Sequence, residues 1–362
     1  MLPYWLLFLF FAVGALLTLR PLSLALAAEV GATQASARRA RPLFLLGMLL
    51  LTLMVGMRFE VGGDWFSYAN IFERTTDDLG RELTRGDPAY QFLNWLVHEL
   101  RGEMWHINLV CAVIFAIGLH RLATTQPEPW LVLVVAVPYL VTVVAMGYTR
   151  QAAALGVLMA GLAAVIRGAG LVKFAVYVFI AALFHRTAVV VLPLMAFVFP
   201  RSRLTDVLIV AGISLSLYFL LLQESVDTFT RNYLEARYSS QGAAIRIAQL
   251  ALAAGLFFLS RQALGFSERE RRIWRNFCVV TFGTVVALLI SPSSTAVDRM
   301  SLYLMPMQVV VLARLTQWLT QPVLARLLVT LYSALVLFVW LNYASHAPAW
   351  LPYQTILEES GW

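Results

Sequence analysis

A few polar residues interrupt an otherwise apolar chain. Arg58, Asp64 and Tyr68 fall close together, followed by Arg150-Gln151, His185-Arg186, Arg237-Tyr238 and Asp298-Arg299. A guanidinium is a planar fork that holds phosphate oxygens two at a time. A carboxylate or imidazole among such groups supplies a proton acceptor. Together these residue types suit a diphosphate beside a polar acceptor. Each also has a plainer use: arginines at span ends snorkel to headgroups, Asp298-Arg299 can be a local ion pair, and a lone histidine such as His185 can be a packing residue. The elements that carry them must therefore decide whether they meet.

The densest stretch is Arg58-Phe59-Glu60-Val61-Gly62-Gly63-Asp64-Trp65-Phe66-Ser67-Tyr68. It leaves an apolar segment on an arginine, turns on a glycine pair and presents an aspartate between aromatics. The chain around it is 60% hydrophobic and only 13% charged, roughly half the charged fraction of a soluble protein. Repeated apolar runs of membrane-crossing length predict an all-α, polytopic transmembrane bundle and one integral membrane domain over 1–362. Twelve spans are expected, roughly 3–19, 42–57, 105–122, 130–148, 151–166, 171–184, 187–200, 205–222, 243–260, 276–291, 301–319 and 323–343. Residues 1–19 lack a basic start, so they read as a retained span rather than a secretory signal. No segment suggests nucleic-acid binding.

The connections near 20–41, 121–129, 167–173, 201–204, 261–275 and 314–326 then share one side and hold most of the basic residues, which places that side in the cytoplasm. One choice governs this topology. As a single helix, 171–200 would bury His185-Arg186 at mid-membrane, at a cost of roughly 3 kcal/mol or more. As a hairpin turning at His185-Arg186, it has arms of ~14 residues and ~21 Å, short of the ~30 Å hydrocarbon core. The hairpin is the expectation, with a recessed turn facing a polar cavity. Arg58, Asp64, Tyr68, Arg150, Gln151, His185, Arg186, Arg237, Asp298 and Arg299 then share the outer face.

The longest outer loop, 58–104, carries Gly86-Asp87-Pro88, a helix start with Asp as cap and Pro in the first turn. Ala89, Phe92, Leu93, Leu96, Val97 and Leu100 follow at helical spacing, which predicts an amphipathic interfacial helix. Asp77-Asp78 has no companion ligand nearby in sequence, so no metal site is expected. Cys111 and Cys278 lie in apolar segments and read as small core residues. Of the 27 basic residues 26 are arginine, which suits phosphate but also fits a coding bias.

In order and spacing the chain resembles the EpsG family, membrane proteins of exopolysaccharide gene clusters related to Wzy-type polymerases. The residues that carry this are Arg58-x-x-Val61-Gly62-x-Asp64-x-x-x-Tyr68, Asp87-Pro88-Ala89-Tyr90 with Asn94, Arg150-Gln151-Ala152, Phe184-His185-Arg186-Thr187-Ala188, Arg237-Tyr238, and Asp298-Arg299 with Tyr303. Asp87-Pro88-Ala89-Tyr90 departs from the expected Glu-Pro-Gly-Tyr, and Arg186 stands where a small or polar residue is usual.

The resemblance implies a GT-C-like polymerase with a periplasmic-face cavity, joining oligosaccharide repeat units carried on polyprenyl diphosphate at the outer face of the bacterial cytoplasmic membrane. Donor and acceptor glycans, membrane lipid and a chain-length regulator are the implied partners, and no cofactor is implied. Asp64, His185 and Asp298 would be catalytic. Arg58, Arg150, Arg186, Arg237 and Arg299 would hold diphosphate, and Tyr68, Tyr90, Gln151, Tyr238 and Tyr303 would meet sugar. Diphosphate is already a good leaving group, so the chemistry calls for no metal. A lipid-linked glycan flippase, an O-antigen ligase or lipid-linked-sugar transferase, and an export scaffold remain open alternatives. A flippase would carry cavity charge to both leaflets, often with repeat symmetry.

Overall fold

The computed structural model describes residues 1–17, 32–195, 240, 242–291 and 293–359, with isolated positions between 198 and 215. Arg237, Tyr238 and most of the expected span 205–222 lie outside the described residues. Among the described residues the chain is helical, and its one extended pairing is a bridge between Arg58 and Thr355.

Six helices are long and apolar enough to cross a membrane, and five shorter apolar helices accompany them. Together they occupy eleven of the twelve expected segments. In chain order the main elements are α1 (Leu2–Leu17), α2 (Ala32–Gly56), α3 (Trp65–Glu73), α4 (Leu79–Thr84), α5 (Pro88–Glu99), α6 (Met104–Ala123), α7 (Pro129–Ala136), α8 (Thr149–Ile166) and α9 (Leu171–Phe184). After the undescribed stretch come α10 (Ala243–Ser260), α11 (Glu268–Ile290), α12 (Ser294–Ser301), α13 (Met305–Ala313), α14 (Leu315–Trp318), α15 (Pro322–Tyr343) and α16 (Ile356–Glu359).

Helices α6 and α8 pack most intimately. A Cβ on Gly118 would run into the backbone of Gly156, and one on Gly156 into the backbone of Phe115. Glycine at both positions lets two membrane helices approach on backbone contacts where no hydrophobic force drives them together. Helix α7 lies in the core and continues as a π-helix, Val137–Ala145. Within it the Thr142 hydroxyl donates to Val137 O at 2.8 Å, and Thr142 O accepts the Trp350 indole at 2.7 Å.

The hairpin expected at His185-Arg186 is present. Helix α9 ends at His185, whose backbone is extended (φ −156°, ψ 108°), and a 3-10 helix, Arg186–Met195, follows. His185 faces Asp87 at one end of the bundle. Leu194 O instead accepts from the Asn276 amide, two turns along α11 from Arg269, which donates to Val165 O at the far end of α8. The chain thus turns back at His185.

That far end is held by two buried ion pairs. Arg314 reaches Glu270 at 2.5 Å and Gln126 at 2.7 Å over the Phe266 ring, and Arg326 reaches Glu128 at 2.7 Å. At the near end, residues 344–359 are sewn across the helix ends. Tyr4 donates to Trp350 O, Gly62 N to Ala349 O, Phe59 N to Gln354 O and Ile356 N to Met57 O.

Candidate functional site

The loop 57–64 closes over the near end of the bundle. Gly62 has φ +115°, and a Cβ there would strike Met146 O, so only glycine fits this crossing. Arg58 lies beneath it and is 1% exposed. Its guanidinium donates to Val55 O, to Val61 O at 3.1 Å and to Thr149 Oγ1 at 2.7 Å, and its ring neighbour is Trp65. Expected to hold diphosphate, Arg58 is instead spent on the backbone that shapes the loop.

From that loop Asp64 faces Arg299 across 3.6 Å, with about a third of each side chain exposed (31% and 34%). Arg299 stacks over Tyr148 at 4.9 Å, and its carbonyl is fixed by the Gln151 amide at 2.9 Å. Burial pushes the Asp64 carboxyl above its ordinary value of 3.8, against the pull of Arg299, Arg150 and His185. Gln151, next to Arg150 on α8, holds the Arg299 carbonyl, and Tyr68, one turn on from Asp64, packs against Arg150, so the Asp64–Arg299 pair adjoins Arg150.

The second half of the centre is built on Asp87. It occupies the N-cap position of α5 with Pro88 in the first turn, as expected, but its side chain makes no capping bond. It is turned toward the 185–186 hairpin instead. Oδ2 accepts from Arg150 at 2.9 Å and faces His185 Nδ1 at 3.4 Å, while Oδ1 accepts the Arg186 backbone N–H at 3.1 Å. The Arg186 guanidinium donates to Gly86 O at 2.8 Å. Burial works to raise the Asp87 carboxyl, but the hydrogen bond and charge of His185, with Arg150 and the Arg186 N–H, outweigh it and hold the group low.

Tyr68 and Tyr90, expected against sugar, are buried at 4% and 1%. Their rings lie at 5.7 and 5.8 Å from the Arg150 guanidinium and support it from inside. Gln151 and Tyr303 are likewise buried. Tyr303 shares a 2.9 Å hydrogen bond with Thr187, which fixes the hairpin just past Arg186. Asp298, expected to be catalytic, is 5% exposed. It takes Arg246 on both oxygens, with Ser240 at 3.0 Å. It therefore pairs with Arg246 rather than with Arg299, its neighbour in sequence.

Among the expected residues, then, Asp64, Arg150, His185, Arg186 and Arg299 converge with part of their surface open, and Arg58, Tyr68, Tyr90, Gln151, Asp298 and Tyr303 stand behind them. Arg237 and Tyr238 lie outside the described residues. In the sequence Asp87 has the pattern of a helix cap, and nothing local singles out Arg246. The one metal-capable grouping among the described residues lies apart from this centre: Asp77, His98 and Glu99 bring ligand atoms within 4.8 Å of one another. His98 is the companion to Asp77 that sequence distance hid.

The EpsG family model matches residues 42–355. The chain belongs to the EpsG family. No curated protein matches it, and no solved structure does. The match runs from α2 through the cross-sewn tail, so it takes in both halves of the centre and the loop that joins them. EpsG membership and the apolar helices together make this a multi-pass membrane protein with a polysaccharide-polymerase-like role.

Helix α5 also differs in one respect from its apolar periodicity. It buries Tyr90, Gln91, Asn94 and Val97, and leaves Phe92 and Leu100 exposed.

Proposed function

We propose that the protein is a glycosyltransferase of the GT-C-like kind that joins polyprenyl-diphosphate-linked oligosaccharide repeat units at the outer face of the bacterial cytoplasmic membrane. The observation that carries this reading is the meeting of Asp64–Arg299 with Asp87–Arg150–His185 at one end of the bundle of an EpsG chain. The arginine-rich opposite end, by the positive-inside rule, supports an outward-facing centre.

In this reading Arg150 and Arg299 hold the donor diphosphate with Arg186 beside them. Both side chains are about a third exposed and are backed by aromatic rings. The acceptor hydroxyl attacks the anomeric carbon of the donor's first sugar. The C–O bond to diphosphate breaks, and polyprenyl diphosphate leaves with the bonding electrons. The hydroxyl proton passes to Asp64, with His185 as second choice. A base works best with its pKa close to the working pH, and the raised Asp64 carboxyl moves that way. Positive charge aimed at the leaving oxygens stabilises the charge that develops there.

The test is elongation of lipid-linked repeat units in detergent, with product length followed on gels. Asp64→Asn and Arg150→Ala, at wild-type expression, are expected to leave single repeats unextended. Wild-type-length polymer from either would remove that residue from the mechanism. A flippase would show no elongation without a bilayer.

A further inference from the structure

A charged cavity lies at the opposite end of the bundle. Helices α10 and α11 form an antiparallel pair joined by 261–267. Their outward faces leave Leu252, Leu259, Val279, Val286 and Leu289 exposed, at 48 to 80%, as expected of surfaces against lipid. At the joint, Arg261, Arg271, Arg272 and Arg275, with Gln262 and Glu268, line a cavity of about 280 Å³, near the small end of ligand pockets at roughly 300 Å³.

Four guanidiniums thus surround one carboxylate. Arg271 takes Glu268, yet its Nε is buried without a partner among the described residues. Arg275 makes one bond, to Asn276 Oδ1 at 3.2 Å. Arg261 and Arg272 hydrogen-bond to no described residue. The fork donors left over match the oxygens of a phosphate. Elsewhere at this end Arg314 is satisfied by Glu270, Gln126 and Gly265 O, and Arg326 is charge-paired with Glu128, though its Nε meets no partner among the described residues. Among the described residues at this end, only at the cavity do several such arginines stand together around one carboxylate.

We propose that this cavity binds a phosphate-bearing anion, and that the ligand is the headgroup of an anionic lipid whose acyl chains lie along the exposed apolar faces of α10 and α11. A basic recess at the headgroup level beside lipid-facing helices presents both parts of such a ligand with a fitting surface.

The experiment uses the full chain in nanodiscs of phosphatidylcholine, with or without phosphatidylglycerol, and reads retained lipid by native mass spectrometry and unfolding temperature by intrinsic fluorescence. The variant Arg261→Gln/Arg272→Gln/Arg275→Gln removes three cavity charges. The control Arg121→Gln/Arg167→Gln/Lys173→Gln removes three charges at the same end outside the cavity. Wild type and control should retain phosphatidylglycerol and melt higher in its presence. The cavity variant should bind it roughly a hundredfold more weakly, at about fivefold per arginine. Arg272→Gln alone should show the single step if the triple variant folds poorly. Inorganic pyrophosphate added to phosphatidylcholine discs separates the sources. A shift by pyrophosphate with no preference for phosphatidylglycerol keeps the anion site and overturns the lipid. Equal losses in variant and control, or retention by the cavity variant, overturn the site itself.

Discussion

Arg150 and His185 meet the same carboxylate oxygen, Oδ2 of Asp87, at 2.9 and 3.4 Å. A loop-borne aspartate therefore sets the position of a helix-borne arginine and of the residue at which the hairpin turns. Asp87 is itself nearly buried, at 6% exposure, so it acts through the two groups it holds.

Asp87→Asn keeps the shape of the side chain and removes its charge. Arg150 then loses its ionic partner and His185 its acceptor. Elongation in detergent is expected to fall about a hundredfold, the cost typical of a small misplacement of reacting groups, with little change in expression. Asp87→Glu, which restores the charge one methylene farther out, should recover part of the rate. Equal rates for Asn and wild type would show that the two groups keep their places without it.

The two carboxyls have opposite pH signatures. Asp64 is raised above 3.8, so its neutral form is favoured in the fold. Its contribution to stability is full below its unfolded pKa and is lost as pH rises through the folded value. As a base it must be ionised, so the acid limb of the rate profile should lie higher than an ordinary aspartate would place it. Arg299→Gln removes a charge that pulls this pKa down, and should move the limb further up. Asp87 is lowered, and its contribution is full above 3.8 and lost as pH falls through its folded value. A pH–rate series on wild type, Asp64→Asn and Arg299→Gln checks the first. An acid unfolding series on wild type and Asp87→Asn checks the second.

Removing one partner of the buried pair at the far end leaves the other charge stranded. Glu270→Ala strands Arg314, which is 4% exposed, and is expected to cost about 3–5 kcal/mol. Replacing both by apolar residues of similar volume should recover much of that. Thermal unfolding in detergent measures it, and elongation per folded molecule should be unchanged.

Trp350→Ala removes a ring that packs edge-on against Trp340 at 5.0 Å and against Gly147, and an indole that bonds Thr142 O. The expected loss is about 3–5 kcal/mol. Because Ala349 and Gln354 hold the loop that carries Asp64, elongation should fall as well, which separates this change from Glu270→Ala.

The helical fold could be read from the sequence because apolar runs of fixed length state their purpose locally. Even the turn at His185 could be inferred, since burying Arg186 at mid-membrane is costly. Asp64, Arg150, His185 and Arg299 stood out because each interrupts or ends an apolar run. The pairing was not legible, because it is set by tertiary contact. Asp87 lies 63 residues from Arg150 and 98 from His185, and locally it has the pattern of an N-cap. Arg58 looks like an outward-facing cation until residues 344–359 are laid across it. Asp298 looks paired with Arg299, but its partner is Arg246, 52 residues earlier.

The tail that crosses the near end has one more consequence. Tyr4 waits for Trp350, 346 residues later, and Met57 for Ile356. The first helix and the loop bearing Asp64 are inserted early, but their final contacts are supplied by residues translated much later. During synthesis the helices can stand in the bilayer while the centre stays unfinished, so a nascent chain is inert until translation has passed the tail.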